Sequence, residues 1–339
     1  MLSDSEAVDH GDGTFSLVNI NSGKCLDVKS ASITAGCAGL RIRLSNLRST
    51  TALSVGAATV AVQSSGATAV AGTTRTVTFG RSATPTIAAG QELTSDVIAM
   101  PVVAEQNLLV EAATSFTTTT ARWFYVAGLD VVSPTANGTV VAIGDSITDG
   151  SSATDNANQR WPDYLARRLQ AQSGGQRLGV VNAGIGGNRV VTDSPSAQQG
   201  IAAMTRFSHD VLTQPGVKNA IVLEGINDIN NSSVTADQII AGYQTMIDQA
   251  HTAGVRIIGG TILPHSSQTA AKAAIRAQVN DWIRTSGAFD AVIDFDAALR
   301  DPANPARLLP AYDSGDHLHP NSAGMQAIAN TVNLSLLTS

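Results

Sequence analysis

Two stretches of this chain hold residues whose types and spacing can do chemistry. Gly144-Asp145-Ser146-Ile147 follows Thr139-Val140-Val141-Ala142-Ile143, an apolar β-branched run that reads as a buried strand. Far downstream, Asp316-His317-Leu318-His319-Pro320 sets a carboxylate and an imidazole three residues apart. A serine hydroxyl is a weak nucleophile until a base takes its proton, and an imidazole can do so near neutral pH. A carboxylate fixes the tautomer of that imidazole and stabilises the imidazolium. Ser146, His319 and Asp316 are thus the parts for nucleophilic acyl transfer.

Such a reaction also needs fixed donors for the charge that develops on the carbonyl oxygen. Asn182-Ala183-Gly184-Ile185-Gly186-Gly187-Asn188 and Glu224-Gly225-Ile226-Asn227-Asp228 each follow an apolar run. The backbone N–H groups of Ser146 and Gly187 and the side-chain amide of Asn227 are the candidate donors. Glycine suits the second position, because a side chain would obstruct close approach of the backbone. Asp149, Asn188 and His265 are candidate pocket residues, while Asp145 and Asp228 read as acids that brace their loops. His317 is a poorer base, being only one residue from Asp316. The His317/His319 pair lacks a third metal ligand, and Gly184-x-Gly186 has Arg189 where a dinucleotide fingerprint needs glycine.

These residues need a scaffold that brings them together. Candidate strands fall at 139–143, 178–182, 220–223, 255–263 and 291–295, with helices at 161–172, 236–253, 270–285 and 323–333 between or after them. Thr235 is a natural N-cap for the second helix and Gly254 a natural stop. Alternation of this kind implies a parallel sheet covered on both faces, with ligands beyond the carboxyl ends of the strands. Ser146 follows the first strand, Gly187 the second, Asn227 the third, and the Asp316/His319 loop the fifth.

The four blocks resemble the GDSL or SGNH hydrolase family. Gly144-Asp145-Ser146-Ile147 matches its first block with isoleucine for leucine, Gly187 its second-block glycine, and Gly225-Ile226-Asn227-Asp228 its third block. Asp316 through Pro320 matches its last. The resemblance covers about 137–339 and implies a flavodoxin-like α/β/α fold with a five-stranded parallel sheet. It further implies no metal or organic cofactor and ester hydrolysis through an acyl-enzyme. Thr261-Ile262-Leu263-Pro264, Asn280-Asp281-Trp282-Ile283-Arg284 and Tyr312 to Pro320 are similar to a subgroup associated with xylan degradation. That implies short acyl esters, with acetylated carbohydrate as one substrate class.

Upstream, 39–133 shows short alternating runs, as in Arg41-Ile42-Arg43-Leu44, Arg75-Thr76-Val77-Thr78-Phe79 and Arg122-Trp123-Phe124-Tyr125-Val126. Gly and Ser/Thr clusters separate them, the pattern of an all-β sandwich-like domain. The turn-rich Ser133-Pro134-Thr135-Ala136-Asn137-Gly138 marks the boundary with the catalytic region at 137–339. In the N-terminal segment 1–38, Gly11 to Asn19 and Ser22 to Val28 resemble one repeat of a ricin-type β-trefoil lectin. A trefoil needs three such repeats, so a structural strand or a fusion remnant competes with sugar binding.

Bulk properties narrow the field. The 339 residues are 43% hydrophobic and only 14% charged, with a net charge of −6. That supports a sizeable core and argues against a nucleic-acid groove or an anionic membrane surface. No stretch approaches the ~18 consecutive apolar residues of a membrane span. Met1 to Glu6 lack the features of a signal peptide. Cys25 and Cys37 are the two cysteines. They form either one disulfide, as in an exported protein, or two reduced thiols, and export is the expectation. Two rival readings remain: a carbohydrate-binding protein with vestigial activity, and a lipase, thioesterase or lactam hydrolase using the same residues. Oligomeric state leaves no signal in the sequence.

Overall fold

The structure, a computed structural model, describes residues 8–9, 15–16, 39–65, 68–103, 106–111, 125–132, 136–154, 157–172 and 177–337. The chain divides into two compact units, Met1–Ala136 and Asn137–Ser339.

The first unit is built of antiparallel strands. Its main members are β1 (Gly39–Ser45), β2 (Thr59–Ser65), β3 (Glu92–Thr94), β4 (Leu108–Glu111) and β5 (Val126–Val132). β1 pairs with β5 and β3, and β2 pairs with β4. Strand alternation turns Leu40, Ile42 and Leu44 inward. They share one core with Val60 of β2, Leu108 of β4 and Leu129 of β5, so both sheets bury their apolar faces together. The region is thus all-β, as its alternating pattern predicts. The run expected at 75–79 is strand only at Arg75–Thr76, and 122–124 lies outside the described residues. So do Cys25, Cys37 and most of the lectin-like stretch, of which Phe15–Ser16 pairs antiparallel with Val8–Asp9.

The second unit holds a five-stranded parallel sheet. In chain order its strands are β6 (Ala136–Gly144), β7 (Arg177–Gly184), β8 (Val217–Leu223), β9 (Arg256–Gly260) and β10 (Ala291–Ile293). Their spatial order is β7-β6-β8-β9-β10, the flavodoxin-like order, in which β6 and β8 flank the crevice where connections leave in opposite directions. The helices used below are α1 (Ser146–Asp149), α2 (Trp161–Gln170), α3 (Ala203–Phe207) and α4 (Ile226–Asn231). Then come α5 (Ala236–Thr252), α6 (Ala270–Thr285), α7 (Phe295–Leu299) and α8 (Ser322–Thr331).

Alternation along each strand creates two cores, one per face. Val141 and Ile143 of β6 join Ile239, Tyr243, Met246 and Ile247 of α5. Val140 and Ala142 join Trp161 and Leu165 of α2 and Met325 and Ile328 of α8. The sheet is therefore covered on both sides, as expected for a three-layer α/β/α fold. α5 begins at a capping box of Thr235 and Gln238, and Gly254 follows it with φ +69° in the left-handed region glycine favours.

Two strands are shorter than the sequence suggests. β9 stops at Gly260, after which Thr261–Pro264 run on as buried chain outside the ladder. β10 stops at Ile293, because the Asp294 carboxylate accepts from the Ala297 N–H and starts α7. Phe295 then packs against Trp161 instead of extending the sheet. Short apolar runs do not distinguish strand from helix; here a side-chain cap decides.

Candidate active site

β6 leads straight into α1, so Ser146 sits on the first turn of a helix at the carboxyl end of β6, beside the switch between β6 and β8. Asp145 makes this turn, its Oδ1 accepting from the Ile147 N–H at 2.9 Å. Ser146 is 9% exposed. Its Oγ lies 2.8 Å from His319 Nε2, across 173 residues of chain. His319 Nδ1 in turn lies 2.5 Å from Asp316 Oδ2. With Nδ1–H directed at the carboxylate, Nε2 is left as the acceptor for the serine proton.

Asp316 serves its loop as well as the ring. Its Oδ1 accepts from the Leu318 N–H at 2.9 Å and the His319 N–H at 2.8 Å. Partial burial works against the charged form, but the bonds from the His319 ring and from these N–H groups outweigh it. The carboxyl therefore stays below the usual carboxylate range. A second Asp/His couple occupies the same loop: His317 Nδ1 lies 2.7 Å from Asp313 Oδ2. The Asp313 carboxylate also accepts from the His317 N–H at 3.1 Å, and His317 has φ +66°.

The candidate oxyanion donors lie on loops that are tied to one another, Gly186 to Asp149 of α1 and Asn188 to Asn227 of α4. The N–H groups of Ser146 and Gly187 reach no acceptor among the described residues. Gly187 has φ +77°, and a Cβ there would meet the Gln199 side-chain amide at 2.6 Å. The left-handed φ favours glycine here, and a larger residue would also have to push the Gln199 side chain aside. Asn227, on α4, uses one amide N–H on the Asn188 carbonyl at 3.0 Å. Its Oδ1 accepts from Asn231 at 3.3 Å, which leaves the other N–H free to meet a ligand.

The three candidate pocket residues fare differently. Asn188 is a correction: it is fully buried and does not line a pocket. Its Nδ2 donates to the carbonyls of Gln199 and Ile201, and its Oδ1 accepts from Arg206 Nε. Asp149 is half-buried and accepts from the Gly186 N–H at 3.2 Å, tying α1 to the glycine-rich loop. His265, also half-buried, lies with Nδ1 3.1 Å from the Asn230 amide. Burial lowers its pKa, while the field of Asp316 acts in the opposite sense, so it sits within electrostatic reach of the reacting groups.

Sequence reasoning missed Arg206. Only 3% exposed, it donates to the Ala183 and Gly144 carbonyls and to Asn188, and pairs with Asp210 at 2.9 Å. One guanidinium thereby links the ends of β6 and β7 to the glycine-rich loop. Its (i, i+4) spacing to Asp210 is the only trace in the sequence, and that pattern is common on exposed helices. Asp145 and Asp228 are buried braces, the latter accepting from the Val190 and Val191 N–H groups at 2.7 and 3.1 Å.

A flavodoxin-like sheet with a serine, an imidazole and a carboxylate in line beyond its strand ends defines an α/β hydrolytic scaffold. Residues 142–327 match the GDSL-like Lipase/Acylhydrolase family, and the chain belongs to that family. No curated protein matches it. Among solved structures, a lipolytic protein of the G-D-S-L family from Desulfitobacterium hafniense is 23% identical. That match covers 57% of this chain and 97% of the other, with a TM-score of 0.46. The M. smegmatis aryl esterase is 14% identical over 59% of this chain and 99% of its own, with a TM-score of 0.48. An acetylxylan esterase from Geobacillus stearothermophilus is 22% identical over 58% and 92%, with a TM-score of 0.44.

Proposed function

We propose that the second unit is a serine carboxylesterase that cleaves short-chain acyl esters through an acyl-enzyme. The observation that carries this reading is the line from Ser146 Oγ to His319 Nε2 at 2.8 Å and from His319 Nδ1 to Asp316 at 2.5 Å. Ser146 attacks the ester carbonyl while His319 takes its proton. The oxyanion is met by the N–H groups of Ser146 and Gly187 and the amide of Asn227. His319 returns the proton to the leaving alcohol, and the acyl group stays on Ser146. Water, deprotonated by the same imidazole, then frees the acid.

Short acyl groups follow from the character of the rim. Among the described residues, the exposed large hydrophobics Leu47, Val70, Val97, Val103 and Val132 all belong to the first unit. Among its described residues the catalytic unit has no large hydrophobic side chain exposed on its surface, which argues against a lipid-docking patch. Its rim is instead polar, with Asp313, His317, Asn230 and His265, which also suits an acetylated carbohydrate as the alcohol half. Nitrophenyl esters of rising acyl length test the reading: kcat/KM falls steeply beyond acetyl and propionyl. Faster turnover of long-chain esters overturns it in favour of a lipase. Release of acetate from acetylated xylan decides the carbohydrate assignment.

A further inference from the structure

Three carboxyl groups lie buried beneath the site, and the mechanism above uses none of them. Asp145 follows β6, Glu224 follows β8 and Asp228 lies on α4, each no more than 1% exposed. β6 and β8 are paired, with Gly144 opposite Leu223. Asp145 and Glu224 therefore continue from neighbouring strand ends. Arg206 on α3 spends its donors on Gly144, Ala183, Asn188 and Asp210. It forms no bond to any of the three and acts on Glu224 only through its field, which favours the charged form. Tyr243 on α5 donates to the Glu224 backbone carbonyl, and Arg189 acts on Asp228 only through its field. Three adjacent buried anions without a bonded cation are not stable, so a proton must be retained.

The hydrogen bonds say where it resides. Asp228 receives two N–H donors, at 2.7 and 3.1 Å. Asp145 receives one at 2.9 Å. Glu224 receives only the Gly225 N–H at a long 3.3 Å, and its Oε2 is buried without a partner among the described residues. The carboxyl with the fewest donors is the one whose charged form is worst solvated.

We propose that Glu224 is a protonated, neutral positioning residue. By holding that proton it leaves Asp145, next to the nucleophile, as the member that ionises and acts as a second electrostatic partner of His319. The role rests on the esterase reading, in which His319 carries the serine proton during acyl transfer. Asp145 adjoins Ser146, whose Oγ touches His319, so its charge lies close to the ring when the ring carries the proton. Burial first, then the charge of Asp145, pushes Glu224 well above the usual range. Burial raises Asp145 to about 7, with the His319 charge acting downward on it, so Glu224 holds its proton where Asp145 gives its own up.

The test measures kcat/KM for nitrophenyl acetate against pH in wild type, Asp145→Asn, Asp145→Ser and Glu224→Gln. Asn and Ser both keep an N-cap acceptor and remove only the charge. The two Asp145 variants are expected to lose about tenfold at the plateau, with the acidic limb moved to lower pH. Glu224→Gln, neutral like the acid it replaces, is expected to stay within about twofold with an unmoved limb. An unmoved limb in both Asp145 variants reduces Asp145 to a cap and overturns the proposal. A limb displaced by Glu224→Gln overturns it too, since Glu224 would then be the charged member. The infrared difference between wild type and Glu224→Gln at neutral pH reads the proton directly. A protonated carboxylic acid band supports the proposal, and a carboxylate band sinks it. The esterase reading stands or falls separately, on whether Ser146→Ala abolishes hydrolysis.

Discussion

The proposed nucleophile and the proposed base are held by opposite means. Around Ser146 the chain is buried: Asp145, Ile147 and Thr148 are at most 2% exposed, and β6 and α1 fix the turn from both sides. Around His319 the chain is open. The Asp316 side chain is 46% exposed and that of His317 59%, and the loop keeps its shape through carboxylate-to-N–H bonds from Asp313 and Asp316. The same residue type consequently titrates in opposite directions. Burial pushes Asp145 up to about 7, whereas hydrogen bonds hold Asp316 below the usual range despite its partial burial. One half of the site is rigid by packing and the other by polar bonds that water can contest.

That contrast sets the size of each expected defect. Ser146→Ala removes the only nucleophile and is expected to lower kcat about 10⁶-fold with nitrophenyl acetate; a residual rate near wild type breaks the comparison at its root. Asp316→Asn leaves the nucleophile turn intact and lets water reach the freed ring, so the loss is expected to be smaller, about 10⁴-fold. Equal losses in the two variants would show that exposure gives the loop no tolerance. Asn227→Ala removes one of three oxyanion donors and is expected to cost about 10²–10³-fold in kcat with little change in KM. A KM effect alone would place Asn227 in ground-state binding.

The same division explains what the sequence disclosed. The five strands and the long helices were legible because period-2 and period-3.6 patterns report burial directly, and because Thr235 and Gly254 mark the ends of α5 chemically. The meeting of Ser146 with His319 and Asp316 was legible because Ser146 follows an apolar strand and the Asp316/His319 loop precedes a helix. Asn188 was misplaced, since its side chain answers carbonyls at Gln199 and Ile201 and a guanidinium at Arg206, none of them near it in sequence. Arg206 was missed for the same reason: its partners are brought to it by β6 and β7. Glu224 carried a faint signal, an acid that continues an apolar strand register, but only the fold shows that the strand it follows pairs with the one that precedes Asp145.

The smallest effect should appear in stability, and it separates the two halves without any substrate. Asp145 and Asp228 are raised by burial to about 7 and about 6 from an unfolded value near 3.9. Between those limits the folded chain binds more protons than the unfolded one, so stability is expected to fall as pH rises from about 4 to about 7. Asp316 acts in the opposite sense: its stabilisation is present above the unfolded value and lost as pH drops through the lower folded one, and its exposure keeps it small. Urea midpoints should therefore be highest near pH 4–5 and decline toward neutrality. Asp228→Asn should flatten that decline even though its amide oxygen accepts fewer N–H bonds than the carboxylate. A slope unchanged in Asp228→Asn would mean that its carboxyl is hydrated in the folded chain, and that the buried half of the site is not dry.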